Sequence, residues 1–250
     1  MQIVGYRTGQ ENEAALLVAE DGAVRREPLV PGRRLDYSLG RRHCAGVVHD
    51  DDHVACDEPR APYCDLHSDL WPCAICTGNC DKPLDTCEEE HAIYLAAFAP
   101  DIFKVGVTRS WRLRQRLTEQ GADRGAHIAT VKDGRIARQR EAEIANRLVD
   151  RVRVPTKIPG LHRTVDEAAW NALLTDFDVI EEFDFDYGFS LDAPPIAETL
   201  ATGTVVGSQG RVLLLGHAGS TYAVDLRGLV GYELTAEAST KPVQSSLLAF

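Results

Sequence analysis

The stretch "HAIYLAAFAPDIFKVGVTRSWRLRQRLTEQGA", residues 91–122, decides how the fold of this chain is predicted. It contains two apolar runs, Ala92–Phe98 and Phe103–Thr108, separated by a proline-containing turn, and this pattern predicts two neighbouring strands. An arginine-rich segment around Arg112–Gln120 follows and ends near Gly121, a residue type that often ends helices. The stretch therefore predicts two strands followed by a helix.

Short strand patterns separated by glycine turns mark both ends of the chain. They are Gln2–Tyr6, Ala14–Val18, Ala23–Arg26, Thr204–Val206, Arg211–Leu215 and Tyr222–Leu226. The dipeptide Asp21-Gly22 between the second and third of these is a hairpin signal. Two further helices are predicted between the two ends, at about 136–151 and 165–175.

These patterns predict an α+β fold that combines a small mixed α/β domain, a cysteine-rich segment and β-rich N- and C-terminal modules. We place the N-terminal β-rich segment at 1–42 and the cysteine-rich segment at 43–90. The α/β domain is placed at 91–187 and the C-terminal β-rich module at 196–250. We expect the strands from the two ends of the chain to pack together.

The charge of the chain is unevenly distributed. The net charge of -11 argues against indiscriminate nucleic-acid binding. Residues 104–163, here called the basic island, hold 15 Lys and Arg against 6 Asp and Glu, a balance of +9. The remainder holds 12 basic and 32 acidic residues, a balance of -20. A basic island on an acidic protein predicts one face for a polyanion, and the plain alternative is a helix surface covered by solvated arginines.

Segments that would direct the chain to a membrane are absent from the sequence pattern. No apolar run approaches the ~18 residues of a membrane-spanning helix. The first six residues, 1–6, lack the basic and apolar regions of a signal peptide. We therefore expect a cytoplasmic protein without a membrane partner.

All seven cysteines lie in a segment with many prolines and acids and no sustained apolar periodicity. Such a segment buries too little apolar surface to offset its ordering entropy, so we expect a metal staple. The seven thiols and one histidine are eight soft ligands, enough for two tetrahedral zinc ions. The expected ligands are Cys44, Cys56, Cys64, His67, Cys73, Cys76, Cys80 and Cys87.

The two short pairs within this set are its strongest signal. Cys64 and His67, like Cys73 and Cys76, are separated by two residues, which lets one turn direct both side chains at one ion.

Disulfides are disfavoured because the cysteine number is odd and no secretion signal is present. A redox motif and an iron–sulfur cluster are alternatives. The ligands could group sequentially or in crossed order. The histidines that could replace His67 are His43, His49 and His53. With four protein ligands each, such sites are structural rather than catalytic.

Four features after the cysteines carry a resemblance to a known superfamily. Ala92-Ile93-Tyr94 and Lys104-Val105-Gly106 lie on the two predicted strands, Arg116 on the helix after them and Glu141 on the next helix. Over roughly residues 91–155 this set resembles the GIY-YIG nucleases. In that superfamily two tripeptides of a small sheet flank the site, an arginine follows on the first helix, and a glutamate binds one divalent cation.

The resemblance implies catalytic roles for Tyr94, Arg116 and Glu141. Tyr94 would help to deprotonate the attacking water, and Arg116 would stabilise charge in the transition state. Glu141 would bind a catalytic Mg²⁺ or Mn²⁺, which prefer carboxylate oxygens. Two positions depart from the superfamily pattern, because Ala92 replaces its first glycine and Lys104 its second tyrosine. The rivals for the arginine and the glutamate are Arg114 and Glu143.

The same resemblance implies that the passage from the second strand into the helix holds the phosphates of DNA or RNA. Lys104 and Arg109 are the expected phosphate contacts. The full set of expected substrate-binding residues is Lys104, Gly106, Thr108, Arg109, Arg112 and Arg114.

A second resemblance covers more of the chain, best from about 73 to 151. The order of a cysteine cluster, a His-x-Ile-Tyr-Leu strand, a Lys-Val-Gly-x-Thr-Arg strand and a Gln-Gly-Ala helix end is similar to a family of bacterial and archaeal proteins of unknown function. The lysine in place of the second tyrosine would then be a family trait. The site of that family would comprise His91, Tyr94, Lys104, Gly106, Thr108, Arg109, Gln120 and Gly121.

Three functions are compatible with these patterns. The first is a metal-dependent phosphodiesterase of GIY-YIG type whose zinc modules help to hold DNA or RNA. The second is a non-catalytic, zinc-containing protein that binds nucleic acid, such as structured RNA or a ribosomal particle, through the same basic face. The third is a protein-interaction scaffold whose arginines form internal salt bridges with the acidic part of the chain.

Overall fold

The computed structural model of the protein describes residues 1–9, 13–68 and 87–239. The chain divides into two compact units, Met1–Asp69 with Tyr187–Phe250, and Leu70–Asp186. Both strands and helices are present, which fits the α+β composition expected from the sequence. Within the described ranges, no helix combines the length and the apolar character needed to cross a membrane.

The strands and helices follow one another in a mixed order. The strands are β1 (Gln2–Arg7), β2 (Ala15–Glu20), β3 (Ala23–Pro28), β4 (Arg34–Arg42), β5 (Val47–His49), β6 (Asp52–Val54), β7 (His91–Phe98), β8 (Ile102–Arg109), β9 (Arg124–Val131), β10 (Glu181–Asp184), β11 (Ile196–Ala197), β12 (Ala201–Gln209), β13 (Val212–His217), β14 (Ser220–Asp225) and β15 (Tyr232–Thr235). The α-helices are α1 (Leu113–Gln120), α2 (Gly134–Ile144), α3 (Val154–Lys157), α4 (Glu167–Leu174) and α5 (Leu226–Leu229).

The first unit is built on one sheet with the strand order β11-β14-β13-β12-β4-β15-β1-β2-β3-β6-β5. Strands from the two ends of the chain are paired in it, because β4 lies between β12 and β15 and β15 also pairs with β1. The β2–β3 hairpin turns at Asp21 and Gly22, whose φ values are 51° and 84°. Ile3, Leu16 and Leu213 are fully buried in the core of this unit. Apolar residues from both ends of the chain therefore share one core.

The second unit holds an antiparallel sheet with the order β10-β9-β7-β8. Successive residues of β7 point to opposite faces, as the pleat of a strand requires. Ile93 is buried with the residues of α2 and α4, whereas Tyr94 is buried with Leu113 and Leu117 of α1. Helix α1 ends at Gln120, where the chain turns with a left-handed glycine. The arrangement places one face of α1 directly over Tyr94.

The predicted helix at 136–151 is shorter in the structure. Helix α2 begins after Asp133, whose side chain accepts a hydrogen bond from the amide of Arg135, and it ends at Ile144. The next residues leave the helix because the backbone pairs with β8, where the Val105 amide donates to the Val149 carbonyl at 3.0 Å. A long-range backbone hydrogen bond therefore replaces the last turns of the predicted helix.

Candidate metal centre and candidate active site

The structure brings together four of the expected metal ligands. One ligand atom from each of Cys44, Cys56, Cys64 and His67 lies within 4.8 Å of the others. Nδ1 of His67 lies 3.3 Å from Sγ of Cys44 and 3.4 Å from Sγ of Cys64. Three thiols and one imidazole at this spacing can hold a metal ion, and this donor set suits tetrahedral zinc.

The loops around this cluster explain its geometry. Cys44 follows β4, Cys56 follows β6, and the Cys64–His67 turn closes with a hydrogen bond from the His67 amide to the Cys64 carbonyl at 3.1 Å. The amides of Gly46 and Cys64 point at Sγ of Cys44, at 3.4 and 3.3 Å. Such amide hydrogen bonds stabilise a thiolate, the form in which cysteine binds a metal.

The other histidines near the cluster have different roles. His43 Nδ1 lies 2.8 Å from the Cys56 carbonyl oxygen, and His53 Nε2 lies 2.8 Å from the Ala45 carbonyl oxygen. His49 is exposed and lies beside Asp50. Among the described residues the cluster therefore contains His67 rather than these three histidines, and its four members follow one another in the order of the expected ligands. His43 supports the loop that carries Cys56.

The second expected zinc site lies largely outside the described residues. Its expected ligands Cys73, Cys76 and Cys80 fall in the range 69–86, and Cys87 is a half-buried free cysteine before β7. Two zinc ions per chain therefore stay a prediction.

Tyr94 is the centre of the candidate active site. Its side chain is only 1 % exposed, in the middle of β7, directly opposite Gly106 of β8. The side-chain amide of Gln120 donates to the tyrosine oxygen at 2.7 Å. Burial raises the pKa of Tyr94, although the neighbouring Arg116 guanidinium opposes this shift. The hydroxyl therefore keeps its proton at neutral pH.

Lys104 occupies the position of the superfamily's second tyrosine, and it is only 7 % exposed. Its ammonium lies 5.9 Å from the centre of the Tyr94 ring and donates to Oε1 of Gln120 at 3.1 Å. Burial, with a contribution from Arg116, lowers the pKa of Lys104 to about 8. Nε2 of Gln120 also donates to the Arg116 carbonyl at 3.1 Å, so three hydrogen bonds hold this amide in one orientation. Gln120 therefore couples Lys104 to Tyr94.

The expected arginine and glutamate act on the same pair. The positive charge of Arg116 lowers the pKa values of both Tyr94 and Lys104, and the negative charge of Glu141 raises both. Glu141 is mostly buried, and its Oε2 accepts a hydrogen bond from Arg138 at 2.7 Å. The structure thus brings Tyr94, Lys104, Arg116 and Glu141 into one electrostatic environment.

Arg114 and Glu143, the alternatives to Arg116 and Glu141, lie elsewhere. The guanidinium of Arg114 lies 5.3 Å from the centre of the Phe185 ring, on the exposed side of α1. Glu143 is exposed at the end of α2. Neither is among the main charges that shift the pKa of Tyr94 or of Lys104.

The other expected substrate contacts line the passage from β8 into α1. Thr108 is half-buried near the end of β8, and Arg109 forms an ion pair with Glu89 at 3.2 Å. Arg112 forms an ion pair with Glu119 at 3.0 Å. These side chains belong to the same edge of the sheet, but two of the cations already have an acidic partner.

Part of the basic island is neutralised internally. Within the described ranges, six of its 15 cations form ion pairs, and these are Arg109, Arg112, Arg116, Arg124, Arg138 and Arg147. The internal ion pairs that the scaffold hypothesis expects are therefore formed by these six arginines of the basic island.

Two contacts of the site were not predicted from the sequence. Arg138 reaches Glu141 from the preceding turn of α2, and Lys157 of α3 donates to the Gln120 carbonyl at 2.6 Å. The three-residue spacing of Arg138 and Glu141 permits a helical ion pair. The Lys157 contact joins residues 37 positions apart, which no local pattern predicts.

Comparison with known proteins places the chain in a family but gives it no activity. A family model described as "Protein of unknown function (DUF2797)" matches residues 53–234. No curated protein and no solved structure matches the chain. The expected likeness to a family of unknown function is confirmed, whereas the GIY-YIG resemblance rests on the residues described above.

Proposed function

The chain belongs to the DUF2797 family of proteins of unknown function, and we propose that it is a metal-dependent phosphodiesterase that hydrolyses DNA or RNA. The observation that carries the proposal is that the charges of Arg116 and Glu141 both act on Tyr94 and Lys104, which lie on the neighbouring strands β7 and β8. Supporting it is the order of elements, in which a hairpin, an arginine-bearing helix, a strand and a glutamate-bearing helix follow one another as the GIY-YIG resemblance implies.

Glu141 is the residue that would hold the divalent cation. A carboxylate oxygen is a suitable ligand for Mg²⁺ or Mn²⁺, ions that keep several waters when one or two carboxylates bind them. When bound, the ion would stabilise negative charge on the phosphoryl oxygens. Because Oε2 of Glu141 accepts from Arg138, the ion has to compete with this guanidinium for the carboxylate.

Tyr94 would orient the water that attacks phosphorus. Gln120 and Arg116 both donate to the tyrosine oxygen, so the attacking water would take the place of Arg116 when this guanidinium turns to the phosphate. In the reaction the water oxygen bonds to phosphorus and the P–O bond to the leaving nucleoside breaks. The proton of the water passes through the Tyr94 hydroxyl towards solvent, and the leaving oxygen takes a proton from solvent. No residue changes its net protonation over the cycle.

Arg116 and Lys104 would stabilise the charge that develops in this step. Arg116 is partly exposed at the mouth of the site and can reach a phosphate. Lys104 lies deeper and, below its pKa of about 8, contributes a positive charge beside the Tyr94 ring. Lys104 acts in a poorly solvated region, where electrostatic stabilisation is stronger than in water.

Four structural cysteine and histidine ligands in the first unit complete the proposal. We infer that Cys44, Cys56, Cys64 and His67 bind a structural zinc ion, and that Cys73, Cys76, Cys80 and Cys87 bind a second. With four protein ligands each, these ions would stabilise folding and take no part in hydrolysis.

The test of the phosphodiesterase is cleavage of labelled single-stranded and branched DNA and RNA with Mg²⁺ or Mn²⁺, and with EDTA. Glu141→Gln should abolish cleavage while binding is retained, and Glu143→Gln, on the exposed side of the same helix, is the matched control. Tyr94→Phe and Arg116→Ala should each slow cleavage, the latter by about 100-fold or more. Wild-type protein that binds these substrates but cleaves none, with Glu141→Gln behaving identically, would exclude hydrolysis.

A second function is favoured by the Arg138–Glu141 ion pair. If this pair stays closed, Glu141 neutralises an arginine and cannot hold a cation, and the basic face serves only to bind nucleic acid. Arg138→Met separates the two functions. For a phosphodiesterase it should lower the Mn²⁺ concentration needed for half-maximal cleavage, whereas for a binding protein it should weaken or leave unchanged the affinity for nucleic acid without any cleavage.

A further inference from the structure

Trp111 is a large apolar side chain in an unusual position. It is 68 % exposed in a 3₁₀ turn, Ser110–Arg112, between β8 and α1. Trp170, by contrast, is 1 % exposed in the core of the second unit. Because an indole ring gains free energy when it is buried, an exposed one beside a candidate active site is available to a ligand.

Two arginines flank this ring. The guanidinium carbon of Arg109 lies 5.0 Å, and that of Arg112 5.7 Å, from the centre of the Trp111 ring. Guanidinium groups at this distance are attracted to an indole face, so they hold the ring in place and add positive charge around it. The combination of a largely exposed aromatic ring and adjacent cations suits a ligand that is both aromatic and anionic.

An anion already occupies the polar edge of this group. The Glu89 carboxylate accepts from Arg109 at 3.2 Å through Oε1 and from the indole N–H of Trp111 at 3.3 Å through Oε2. Two donors therefore converge on two oxygens of one anionic group, an arrangement that a phosphate can also accept. Glu89 shows the position in which such a phosphate would bind.

The ring is connected to the candidate active site by two side chains. Glu119 accepts from Arg112 at 3.0 Å and pairs with Arg116 at 3.6 Å. Arg112 also contacts Trp111, so the contacts run from Trp111 through Arg112 and Glu119 to Arg116. A strand bound at Trp111 would therefore continue to the phosphodiester site without leaving this edge.

We propose that Trp111 stacks on an unpaired nucleobase of the substrate while Arg109 takes the adjoining phosphate from Glu89. This proposal rests on the proposed function and names its substrate class: nucleic acid that is single-stranded or unpaired next to the cleaved bond. A duplex offers no free base face, because its bases are stacked on their neighbours.

The experiment uses the full chain with a fluorescein-labelled dT12 oligonucleotide and a 12-base-pair duplex at one salt concentration. Trp111→Ala should weaken dT12 binding by about 5- to 100-fold, the range for one lost base stack, with a smaller effect on the duplex. Trp111→Phe should stay close to wild type. Ile180→Ala, which truncates another exposed apolar side chain of the same unit, is the matched control and should leave binding unchanged.

Glu89→Gln provides the opposite change. It removes the competing negative charge and should strengthen dT12 binding several-fold, although the ion pair to Arg109 is lost. In a Trp71→Phe background the remaining tryptophans are Trp111 and the buried Trp170, so quenching of fluorescence by dT12 reports Trp111. Weaker binding by Glu89→Gln, or wild-type affinity in Trp111→Ala, would overturn the stacking proposal.

The same data separate this proposal from the phosphodiesterase. If Trp111→Ala binds and cleaves like wild type while Glu141→Gln abolishes cleavage, only the stacking proposal falls. If wild-type protein binds neither oligonucleotide, the stacking proposal and the proposed function both fall, and the exposed ring would be left for a protein partner.

Discussion

Gly106 leaves the space that the Tyr94 hydroxyl occupies. The two residues are direct partners across β7 and β8, and a Cβ atom at position 106 would lie 2.5 Å from both Cζ and the oxygen of Tyr94. The tyrosine ring thus lies across the backbone of its partner strand. This close approach requires Gly106, the glycine of the second tripeptide, because any larger residue at this position would displace the Tyr94 hydroxyl.

Gly106→Ala should therefore displace the Tyr94 ring. The expected cost is about 1–3 kcal/mol of unfolding free energy from overpacking, together with a loss of cleavage similar to that of Tyr94→Phe. Gly216→Ala in β13 is the matched control, because a Cβ there meets no atom closer than 3.6 Å. Thermal unfolding and single-turnover cleavage measure the two effects. Unchanged stability in Gly106→Ala would contradict the close approach.

The metal cluster should contribute to the stability of the first unit. We expect two zinc ions per purified chain, and Cys64→Ser should reduce this number to one and lower the melting temperature. His49→Ala, which changes an exposed histidine outside the cluster, should keep both ions. Elemental analysis and calorimetry make the measurement. Zinc retained at two equivalents in Cys64→Ser would show that this cysteine is not a ligand.

The buried Lys104 should give the protein a characteristic pH dependence. Its pKa is lowered from 10.5 to about 8 by burial, so between these values the unfolded chain binds a proton that the folded chain does not. Stability therefore rises with pH across this window, by roughly 3 kcal/mol in total, and the full penalty is present below pH 8. Lys104→Met should lack this rise. Its loss of the Gln120 hydrogen bond adds only a pH-independent offset.

Denaturant unfolding of both proteins at pH 7 and pH 10 tests this expectation. The stability difference, wild type minus Lys104→Met, should become more favourable to the wild type as pH increases. A difference that is independent of pH would mean that Lys104 ionises at its ordinary pKa. If Lys104 contacts phosphate, the affinity for dT12 should also fall as pH rises through about 8, and Lys104→Met should show no such fall.

Arginines inside and outside ion pairs should behave differently. Arg114 lies over the Phe185 ring and forms no salt bridge within the described residues, whereas Arg124 pairs with Glu167 and Asp184. Arg114→Glu should weaken nucleic-acid binding and flatten its dependence on salt, because fewer counterions are released. Arg124→Gln should change the salt dependence little. Equal effects of the two substitutions on binding would indicate a diffuse field rather than a defined face.

Local sequence patterns were sufficient for several features of the chain. The Asp21-Gly22 turn, the two strands of the 91–122 stretch and the helix that ends before Gly121 depend on neighbours within a few residues, so periodicity and turn chemistry reveal them. The four candidate metal ligands that the structure brings together were also predictable, because thiol and imidazole groups at short spacing have few other uses outside disulfides.

The grouping of the candidate metal ligands and the contacts of the candidate active site were decided by the tertiary structure. The choice of His67 over three other histidines depends on how separate loops meet, and the end of α2 at Ile144 depends on a backbone bond to β8. Gln120 is one polar helical residue among many in the sequence. Its role between Tyr94 and Lys104 exists only because the hairpin and α1 pack together and bury all three. Burial and partner choice are properties of the packed chain, and these set both the orientation of the amide and the pKa of the lysine.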